Sequence, residues 1–342
     1  METKTAYKTH LTEMETEIAI STVKTTFLES LKRHLNLIKV EAPIVVAKSS
    51  GMNDDLNGIE HPVTVNVKEI PEETIEIVHS LAKWKRAKLA RLEAPVGSGI
   101  VTDMKALRPD ESFSELHSIY VDQWDWEKVI AKSDRNLAYL QKEVKLIYQS
   151  ILETASEIAK RYPSLESQLP QEITFIHAED LFSLYPELSS KERENAIVRE
   201  HGAVFLIGIG GTLAHGEKHD GRAPDYDDWS TPTSDHKKGL NGDILIWSDA
   251  LGKAIEVSSM GIRVDATALK LQLQLTNTEN RLQLPWHQQL INEELPYTIG
   301  GGIGQSRITM LLLKKKHVGE VQSGIWPEQI LNELKKQNIK LL

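Results

Sequence analysis

The strongest structural signal in this sequence is the C-terminal run Gly300-Gly301-Gly302-Ile303-Gly304-Gln305-Ser306-Arg307-Ile308-Thr309-Met310-Leu311-Leu312-Leu313. We interpret it as a flexible glycine turn that leads into an apolar helix, with Arg307 at the junction. Glycines let the backbone approach a flat or anionic ligand closely, and a helix N-terminus adds partial positive charge. An arginine there can stack on a base or pair with a phosphate. The run therefore indicates a ligand site at the start of this helix.

The composition is that of an ordinary folded protein. The chain has 342 residues, of which 40% are hydrophobic and 26% charged, which is enough for one large domain or two small ones. No stretch reads as a linker, so we expect residues 1–342 to form a single catalytic domain. The absence of cysteine excludes disulfides, thiol nucleophiles and thiolate metal sites, and it fits a reducing compartment.

Targeting signals and charge narrow the choice of partners. Residues 1–10 are polar and lack the apolar core of a signal peptide, and no apolar run approaches the roughly 20 residues that span a bilayer. We therefore expect a cytoplasmic protein with no membrane partner. The formal charge of −9 argues against nucleic acid as a partner, because proteins that follow a nucleic-acid backbone usually present a basic face. A small anionic ligand in a local pocket remains open.

The spacing of apolar residues predicts the secondary structure. Helices are expected from about Thr12 to Leu37 and from Asp125 to Arg161. A strand interrupted by Pro43 is expected from Leu37 to Val46, and Pro43 belongs at an edge or a subunit boundary because proline cannot donate to a sheet ladder. The alternation in Val63–Lys68 predicts a half-buried strand. Further strands are expected at Ile173–Ile176, Ala203–Ile207, Gly242–Trp247 and Ala254–Val257.

Two segments in the first half of the chain carry polar residues that could line a ligand site. Arg108 ends an apolar run and precedes a proline turn, so it projects a fixed cation from a strand end; a surface salt bridge with a neighbouring acid is the alternative. The alternation in Tyr120–Glu127 places Gln123 and Asp125 on one face, where both could line the same cleft. A strand with a solvated outer face is the alternative there.

Two carboxylates in the second half of the chain suggest a cation site. Asp243 and Glu256 lie in apolar, strand-like runs, where a carboxylate is costly unless it is paired or binds a cation. Oxygen ligands together with a triphosphate suit Mg²⁺, and a structural ion pair is the alternative for each residue. The polar stretch 208–241 reads as an active-site loop. His215 and His219 within it lie among glycines that disfavour a helix, which makes a zinc pair improbable.

Taken together, these segments resemble the catalytic core of the class II aminoacyl-tRNA synthetases. The stretch that ends at Pro43 is similar to the first motif of that family, which is associated with dimerisation. The run that ends at Arg108 is similar to the second motif, and Gly302-x-Gly304-x-x-Arg307 to the third. The resemblance implies an α+β fold with a mostly antiparallel central sheet flanked by helices, and a homodimer that pairs through the Pro43 region.

The match is closer to the ammonia-dependent asparagine synthetases, or aspartate–ammonia ligases, and it covers essentially the whole chain. Its most specific stretches are His79–Arg86, Met104–Glu111, Tyr120–Glu127, Ala223–Thr231 and Gly300–Arg307. The resemblance implies that ATP activates the side-chain carboxylate of L-aspartate, which gives β-aspartyl-AMP and pyrophosphate. Ammonia then attacks this intermediate and yields asparagine and AMP.

The same resemblance assigns the site residues. The residues expected to bind ATP or AMP are Arg108, Gly302, Gly304, Arg307 and Ser259, and Arg108 and Arg307 are also expected to act in catalysis by neutralising charge. Mg²⁺ is expected on Asp243 and Glu256. Asp55 is the candidate carboxylate beside the attacking ammonia. The candidates for binding aspartate are Lys85, Gln123, Asp125, Asp227 and Arg263, and which of them holds the α-carboxylate and which the α-ammonium stays open.

Three rival functions are weighed against this one. A tRNA-charging enzyme for aspartate or asparagine would normally carry an N-terminal anticodon-binding domain and a basic face, and we expect neither in this acidic chain. A non-catalytic regulatory paralogue would have lost Arg108, Arg307, Asp243 or Glu256, and all four are present. A glutamine-dependent synthetase needs an N-terminal cysteine, and the chain has none.

Overall fold

The helices and strands of the protein are known from a computed structural model that describes residues 7, 9–54, 56, 60–234 and 236–342. The helices are α1 Glu13–Leu35, α2 Ala82–Arg91, α3 Leu137–Arg161, α4 Ala178–Leu184, α5 Ser190–His201, α6 Ala266–Leu275, α7 Pro285–Ile291, α8 Gln305–Leu312 and α9 Glu328–Lys336. The strands are β1 Leu37–Lys39, β2 Val45–Ala47, β3 Thr64–Val65, β4 Ile75–Ile77, β5 Gly99–Leu107, β6 Tyr120–Val129, β7 Thr174–His177, β8 Ala203–Ile207, β9 Pro232–Ser234, β10 Lys237–Lys238, β11 Asn241–Ser248, β12 Lys253–Ile262 and β13 Thr298–Gly304.

One large mixed sheet forms the centre of the molecule. Its eight strands follow the order β1-β5-β6-β13-β12-β11-β8-β7. The outermost pairs, β1 with β5 and β7 with β8, are parallel, and the pairs between them are antiparallel. The predicted α+β fold with a mostly antiparallel central sheet flanked by helices is therefore confirmed.

The two long helices α1 and α3 cover one face of this sheet. Thr12 begins α1 with a capping box, accepting from the backbone N–H of Glu15 while the Glu15 carboxylate accepts from Thr12. The apolar face of α1 is fully buried, and its Phe27 ring packs against Trp124 of β6 with ring centroids 4.4 Å apart. Because side chains alternate along β6, Trp124 and Trp126 enter this core while the odd-numbered residues face the opposite side.

The glycine run lies in a central strand, which corrects the expected flexible turn. Residues 298–304 form β13 between β6 and β12, and α8 follows at once with Gln305. The predicted helix is therefore present, but the glycines serve a different purpose. A Cβ on Gly301 would approach the Cβ of Met260 to 2.5 Å, so the close packing of neighbouring strands excludes a side chain there.

Three other predicted elements change in extent. Asp125 to Val129 belong to β6, and the second long helix begins only at Leu137, after Asn136 has capped it. The expected strand at 37–46 is divided into β1 and β2, with Pro43 in the connection between them. Of the expected strand at 63–68 only Thr64 and Val65 pair, and both are exposed because they lie on a small three-stranded sheet at the surface.

Within the part of the chain that the structure describes, no helix combines the length and the apolar character that crossing a membrane requires.

Candidate active site

Two adjoining cavities lie against β6, β12 and β13 of the large sheet. The first, here called the acidic cavity, has a volume of about 240 Å³, and among its lining residues are Asp54, Glu111, Asp125, Asp220, Asp227, Asp243 and Glu256. The second, here called the Arg307 cavity, has a volume of about 220 Å³ and lies over the start of α8. The residues that line both are Arg108, Glu111, Gln123, Glu256, Ser259 and Gly302. Two ligands, one in each cavity, would therefore meet at this shared wall.

Gly300 and Gly302 make room for the polar side chains of this wall. A Cβ on Gly300 would collide with the carboxylate of Glu127, and a Cβ on Gly302 would collide with the side-chain amide of Gln123. Both glycines lie beside β6, where Gly302 is directly opposite Asp125. The prediction that Gln123 and Asp125 line the same cleft is confirmed.

Arg263 is the centre of a buried ion-pair network beneath the acidic cavity. Its guanidinium contacts Glu127 with two nitrogens, at 3.0 Å from Nε to Oε1 and 2.8 Å from Nη2 to Oε2, and its Nη1 donates to Asp227. Burial acts to raise the pKa of Glu127, but the Arg263 charge outweighs it and holds that pKa below its usual value. Such a fork fixes both carboxylates rigidly. Arg263 and Asp227 line the acidic cavity, as a pair that binds the charged groups of an amino acid would.

Lys85 of α2 supports this network from the same side of the sheet, next to Asp125. Its side chain is fully buried and does not line either cavity. The ammonium donates to Asp125 and to the carbonyls of Trp126, at 2.9 Å, and Gly301, at 3.3 Å. Burial lowers the pKa of Lys85, while Asp125 and Glu127 act in the opposite direction. Lys85 therefore orients Asp125 in the structure.

The segment before β3 contributes a carboxylate that the sequence analysis missed. Asp55, the candidate for the ammonia step, lies outside the described residues. Its neighbour Asp54 lines the acidic cavity, is only 2% exposed and accepts from the hydroxyl of Ser80 at 2.8 Å. Burial raises the pKa of Asp54, and the nearby Lys83 ammonium partly offsets this. Two adjacent aspartates were visible in the sequence, but nothing in their spacing indicated that Asp54 lines the cavity.

Arg108 and Arg307 approach the shared wall from two sides. Arg108 follows β5 and lines both cavities; its Nη2 donates to the carbonyl of His79 at 3.1 Å, whereas its buried Nε has no hydrogen-bond partner among the described residues. Arg307 lies in the first turn of α8 and donates from Nη1 to the Glu256 carbonyl at 3.0 Å. Ser259 and Gly304, the other predicted nucleotide residues, line the Arg307 cavity. Among the described residues, the shortest ion pair of either guanidinium is that of Arg307 with Glu256, at 3.8 Å, so both are available to bind an anion.

Asp243 and Glu256 line the acidic cavity on the neighbouring strands β11 and β12. Burial and the proximity of Glu256 raise the pKa of Asp243, although Arg222 acts against them. No cluster of three or more metal-binding side chains occurs in the described ranges. Two carboxylates fit Mg²⁺ all the same, because this ion commonly takes one or two protein carboxylates and completes its shell with substrate phosphates and water.

A second buried cluster lies at the edge of the acidic cavity. Asp225 is fully buried and accepts from Lys83 at 3.0 Å, from His287 at 2.9 Å and from Arg281 at 3.3 Å. Burial would raise the pKa of Asp225, but Lys83 and His287 together hold it far below its usual range. The cluster keeps Lys83 close to Asp54, whose charge it influences. Lys83 itself is only 3% exposed.

Comparison with known protein families adds to this geometry. The model of the family described as aspartate-ammonia ligase (AsnA) matches residues 14–338. The chain belongs to the aspartate-ammonia ligase family. It is therefore an enzyme of the ligase class.

Solved structures with the same fold are class II aminoacyl-tRNA synthetases. An asparaginyl-tRNA synthetase of Pyrococcus horikoshii, complexed with asparaginyl-adenylate, has a TM-score of 0.68 at 15% identity, with 92% of this chain and 70% of that chain covered. The asparaginyl-tRNA synthetase of Entamoeba histolytica with asparaginyl-adenylate has a TM-score of 0.65 at 15% identity, with 91% and 66% covered. This chain thus spans about two thirds of the length of these structures. At such low identity the likeness shows the fold alone, and the predicted class II fold is confirmed.

Proposed function

We propose that the protein makes asparagine from L-aspartate, ammonia and ATP through a β-aspartyl-AMP intermediate, and releases AMP and pyrophosphate. The observation that carries this proposal is the meeting of two cavities at one wall. One cavity is lined by carboxylates and Arg263, which suits an amino acid. The other has Arg307 at a helix start, bound to a backbone carbonyl and only loosely paired with Glu256, which suits a nucleotide. The family membership supports the same reaction.

In the first step, a β-carboxylate oxygen of aspartate attacks the α-phosphorus of ATP. The bond between this phosphorus and the oxygen that bridges to the β-phosphate breaks, and pyrophosphate leaves. Two anions must approach each other, so Arg108, on the shared wall, and Arg307 stabilise the charge that accumulates on the α-phosphate. Mg²⁺, held by Asp243 and Glu256, would neutralise further phosphate charge when bound.

The aspartate substrate must be held with its side chain towards the shared wall. We assign its α-ammonium to the carboxylates of Asp125 and Asp227, and its α-carboxylate to Arg263. Gln123 lines both cavities, so its amide is placed to donate to the β-carboxylate or to the acyl phosphate. Lys85 acts indirectly, because it fixes Asp125 and does not reach the cavity.

In the second step, ammonia attacks the acyl carbon of β-aspartyl-AMP. The bond from this carbon to the phosphate oxygen breaks, AMP leaves, and a proton is lost from the nitrogen. Ammonium dominates at neutral pH, so a nearby carboxylate that accepts its proton would raise the concentration of free ammonia at the site. Asp54 has the burial and the position for this role, and we propose it together with its neighbour Asp55.

The test is AMP formation by purified protein with ATP, Mg²⁺ and aspartate, with and without ammonium and with and without tRNA. Asparagine and AMP that appear in equal amounts and only with ammonium would support the proposal. AMP formation that depends on tRNA would instead identify a charging enzyme like the asparaginyl-tRNA synthetases of similar fold. No AMP in any of the mixtures would favour a non-catalytic paralogue.

We further propose a homodimer that pairs through the Pro43 region. Apolar side chains around it are exposed to solvent, with Ile38 and Ile44 each 60% exposed and Val45 42%. Sedimentation should give twice the chain mass of 38.5 kDa, and a monomer at micromolar concentration would contradict the pairing. We also propose that the protein acts in the cytoplasm as one catalytic domain spanning residues 1–342, and that it does so without nucleic acid.

A further inference from the structure

Arg222 forms an ion pair with Asp243, a carboxylate on which Mg²⁺ is expected. It comes from the polar loop before β9, and its Nη2 lies 2.5 Å from Oδ1 of Asp243. Its Nη1 donates to the hydroxyl of Ser259, which is opposite Asp243 on the neighbouring strand. The guanidinium therefore binds a carboxylate and a hydroxyl that both line the acidic cavity, between the expected amino-acid and nucleotide positions.

The Cβ of Arg222 is held by close packing, whereas its guanidinium has a second acidic partner within reach. Gly210, with φ of +107°, lies so close that a Cβ there would come within 2.6 Å of the Arg222 Cβ. The buried Nε has no hydrogen-bond partner among the described residues, and Oδ2 of Asp227 is 3.7 Å from it. A small rotation of the head would therefore replace the Asp243 contact by one with Asp227 or with a substrate anion.

The charge of the acidic cavity explains why a cation is needed at Asp243. Carboxylates outnumber arginines in its lining, and Arg263 is already engaged with Glu127 and Asp227. An unpaired buried carboxylate is costly, so a cation beside Asp243 stabilises its charged form. A guanidinium and a divalent ion on the same carboxylate would repel each other strongly in a site of low dielectric constant.

We propose that Arg222 and the divalent cation compete for Asp243, so that the guanidinium neutralises this carboxylate until Mg²⁺ arrives with ATP. The displaced head then turns to the substrate anions at the shared wall. The inference rests on the proposed function for its use of Mg²⁺–ATP. The inference predicts that removing Arg222 changes two quantities in opposite directions. Catalysis becomes weaker, but the affinity for a bare metal ion increases. A residue with a merely structural role would weaken both.

The experiment titrates Mn²⁺ alone, without nucleotide, into the full-length protein and follows free Mn²⁺ by electron paramagnetic resonance. Arg222→Gln should bind Mn²⁺ about fivefold more tightly than the wild type, or better, which is the lower end of typical coupling between two sites. Arg108→Gln is the matched control, since it removes the same charge from the same cavity without touching Asp243. Its Mn²⁺ affinity should stay within about twofold of the wild type, below the range of such coupling.

Further outcomes make the test decisive. The double variant Arg222→Gln with Asp243→Asn should lose the gain in affinity. An Arg222→Gln protein that binds Mn²⁺ no better than the wild type would overturn the inference, and so would an equal gain in Arg108→Gln. If Arg222→Gln does not fold, wild-type crystals soaked in Mn²⁺ serve instead: Mn²⁺ on Asp243 with the Arg222 contact intact would overturn the inference, and a displaced guanidinium would support it.

The metal titration also separates this inference from the proposed function. Binding of Mn²⁺ does not depend on AMP formation, so competition in a protein that makes no AMP would leave the inference standing and reject the function. AMP formation with an unchanged Mn²⁺ affinity in Arg222→Gln would do the reverse.

Discussion

The two cavities differ in how far their charges are already paired. Under the acidic cavity, Arg263 and Glu127 are 3% and 0% exposed and are joined by a fork of hydrogen bonds. At the Arg307 cavity, Arg307 and Glu256 are 24% and 36% exposed, and their side chains are 3.8 Å apart. The first arrangement is rigid before any ligand arrives, whereas the second leaves a cation available to an incoming anion.

This difference matches the demands of the two expected ligands. A small amino acid is recognised by fixed charges, because preorganised groups lose little freedom when it binds. A nucleotide must enter with its triphosphate and leave as AMP, so its cations cannot be locked into ion pairs with the protein. The comparison predicts that variants of the paired side lose stability, and that variants of the open side lose activity.

The largest effect is expected for Arg263→Gln. This change leaves Glu127 and Asp227 buried without their shared cation, and breaking a buried pair typically costs about 3–5 kcal/mol. The free energy of unfolding, measured by urea denaturation with tryptophan fluorescence, should fall by this amount. Lys32→Gln is the control, since it removes one partner of the exposed Lys32–Glu29 pair and should cost less than about 1 kcal/mol. Equal losses in the two variants would remove the distinction between the cavities.

Arg108→Ala should reduce activity strongly and leave the free energy of unfolding nearly unchanged. Arg108 is partly exposed and makes a single side-chain hydrogen bond to His79 in the described structure, so the free energy of unfolding should change by no more than about 1.5 kcal/mol. Pyrophosphate release with ATP and aspartate should fall by about 10²–10³-fold, as for the loss of other transition-state donors. Arg91→Ala, on the exposed end of α2, should release pyrophosphate normally. Near-normal release by Arg108→Ala would reject its role at the α-phosphate.

The glycines of β13 allow a finer comparison within one strand. Gly300→Ala should destabilise the protein by about 1–3 kcal/mol, because the added methyl group collides with the Glu127 carboxylate in the closed network. Gly304→Ala should cost less than about 1 kcal/mol, since the nearest atom to its Cβ would be the Arg307 Cβ at 3.3 Å, which is close to ordinary van der Waals contact. Thermal unfolding of both variants measures the difference. Comparable losses would show that Arg307 is held as firmly as Glu127.

The smallest effect concerns pH and His117 of the Arg307 cavity. Burial, and then the nearby Arg307, lower the pKa of His117 to about 4 from its ordinary 6.5. The unfolded chain therefore takes up this proton at a higher pH than the folded one. The contribution of His117 to stability is thus complete above pH 6.5 and is lost as the pH falls from 6.5 towards 4. His117→Gln should show a shallower decline of the free energy of unfolding between pH 7 and 5, and parallel curves would contradict the shifted pKa.

Much of the fold was predictable because it depends on local patterns. The alternation in β6 placed Gln123 and Asp125 on one face, and the apolar spacing of α1 and α3 predicted both long helices. The glycine run was misread because glycine is common both in turns and in strands whose neighbours approach closely. The glycines are needed in this strand because the side chains of Glu127 and Gln123, which are far away in the sequence, leave no room for a Cβ.

The candidate site was predictable in its residue types but not in their partners. The motifs led to Arg108, Arg307, Asp243 and Glu256, and all four line the two cavities. Arg222 and Asp54 were missed, because nothing in the sequence of a polar loop indicates which of its charges faces inward. Lys85 was expected at the substrate, and its place behind Asp125 follows from how α2 packs on the sheet.

The sequence by itself determined the family, the two long helices and the chemical types of the groups in the site, since each of these depends on short-range spacing. Tertiary structure alone decided which charges are neutralised before a ligand binds. The basic run of α2 illustrates the physical reason. Lys83, Lys85 and Arg86 are close neighbours in a basic stretch, and all three are buried because Asp225, Asp125 and two backbone carbonyls from distant segments accept their hydrogen bonds.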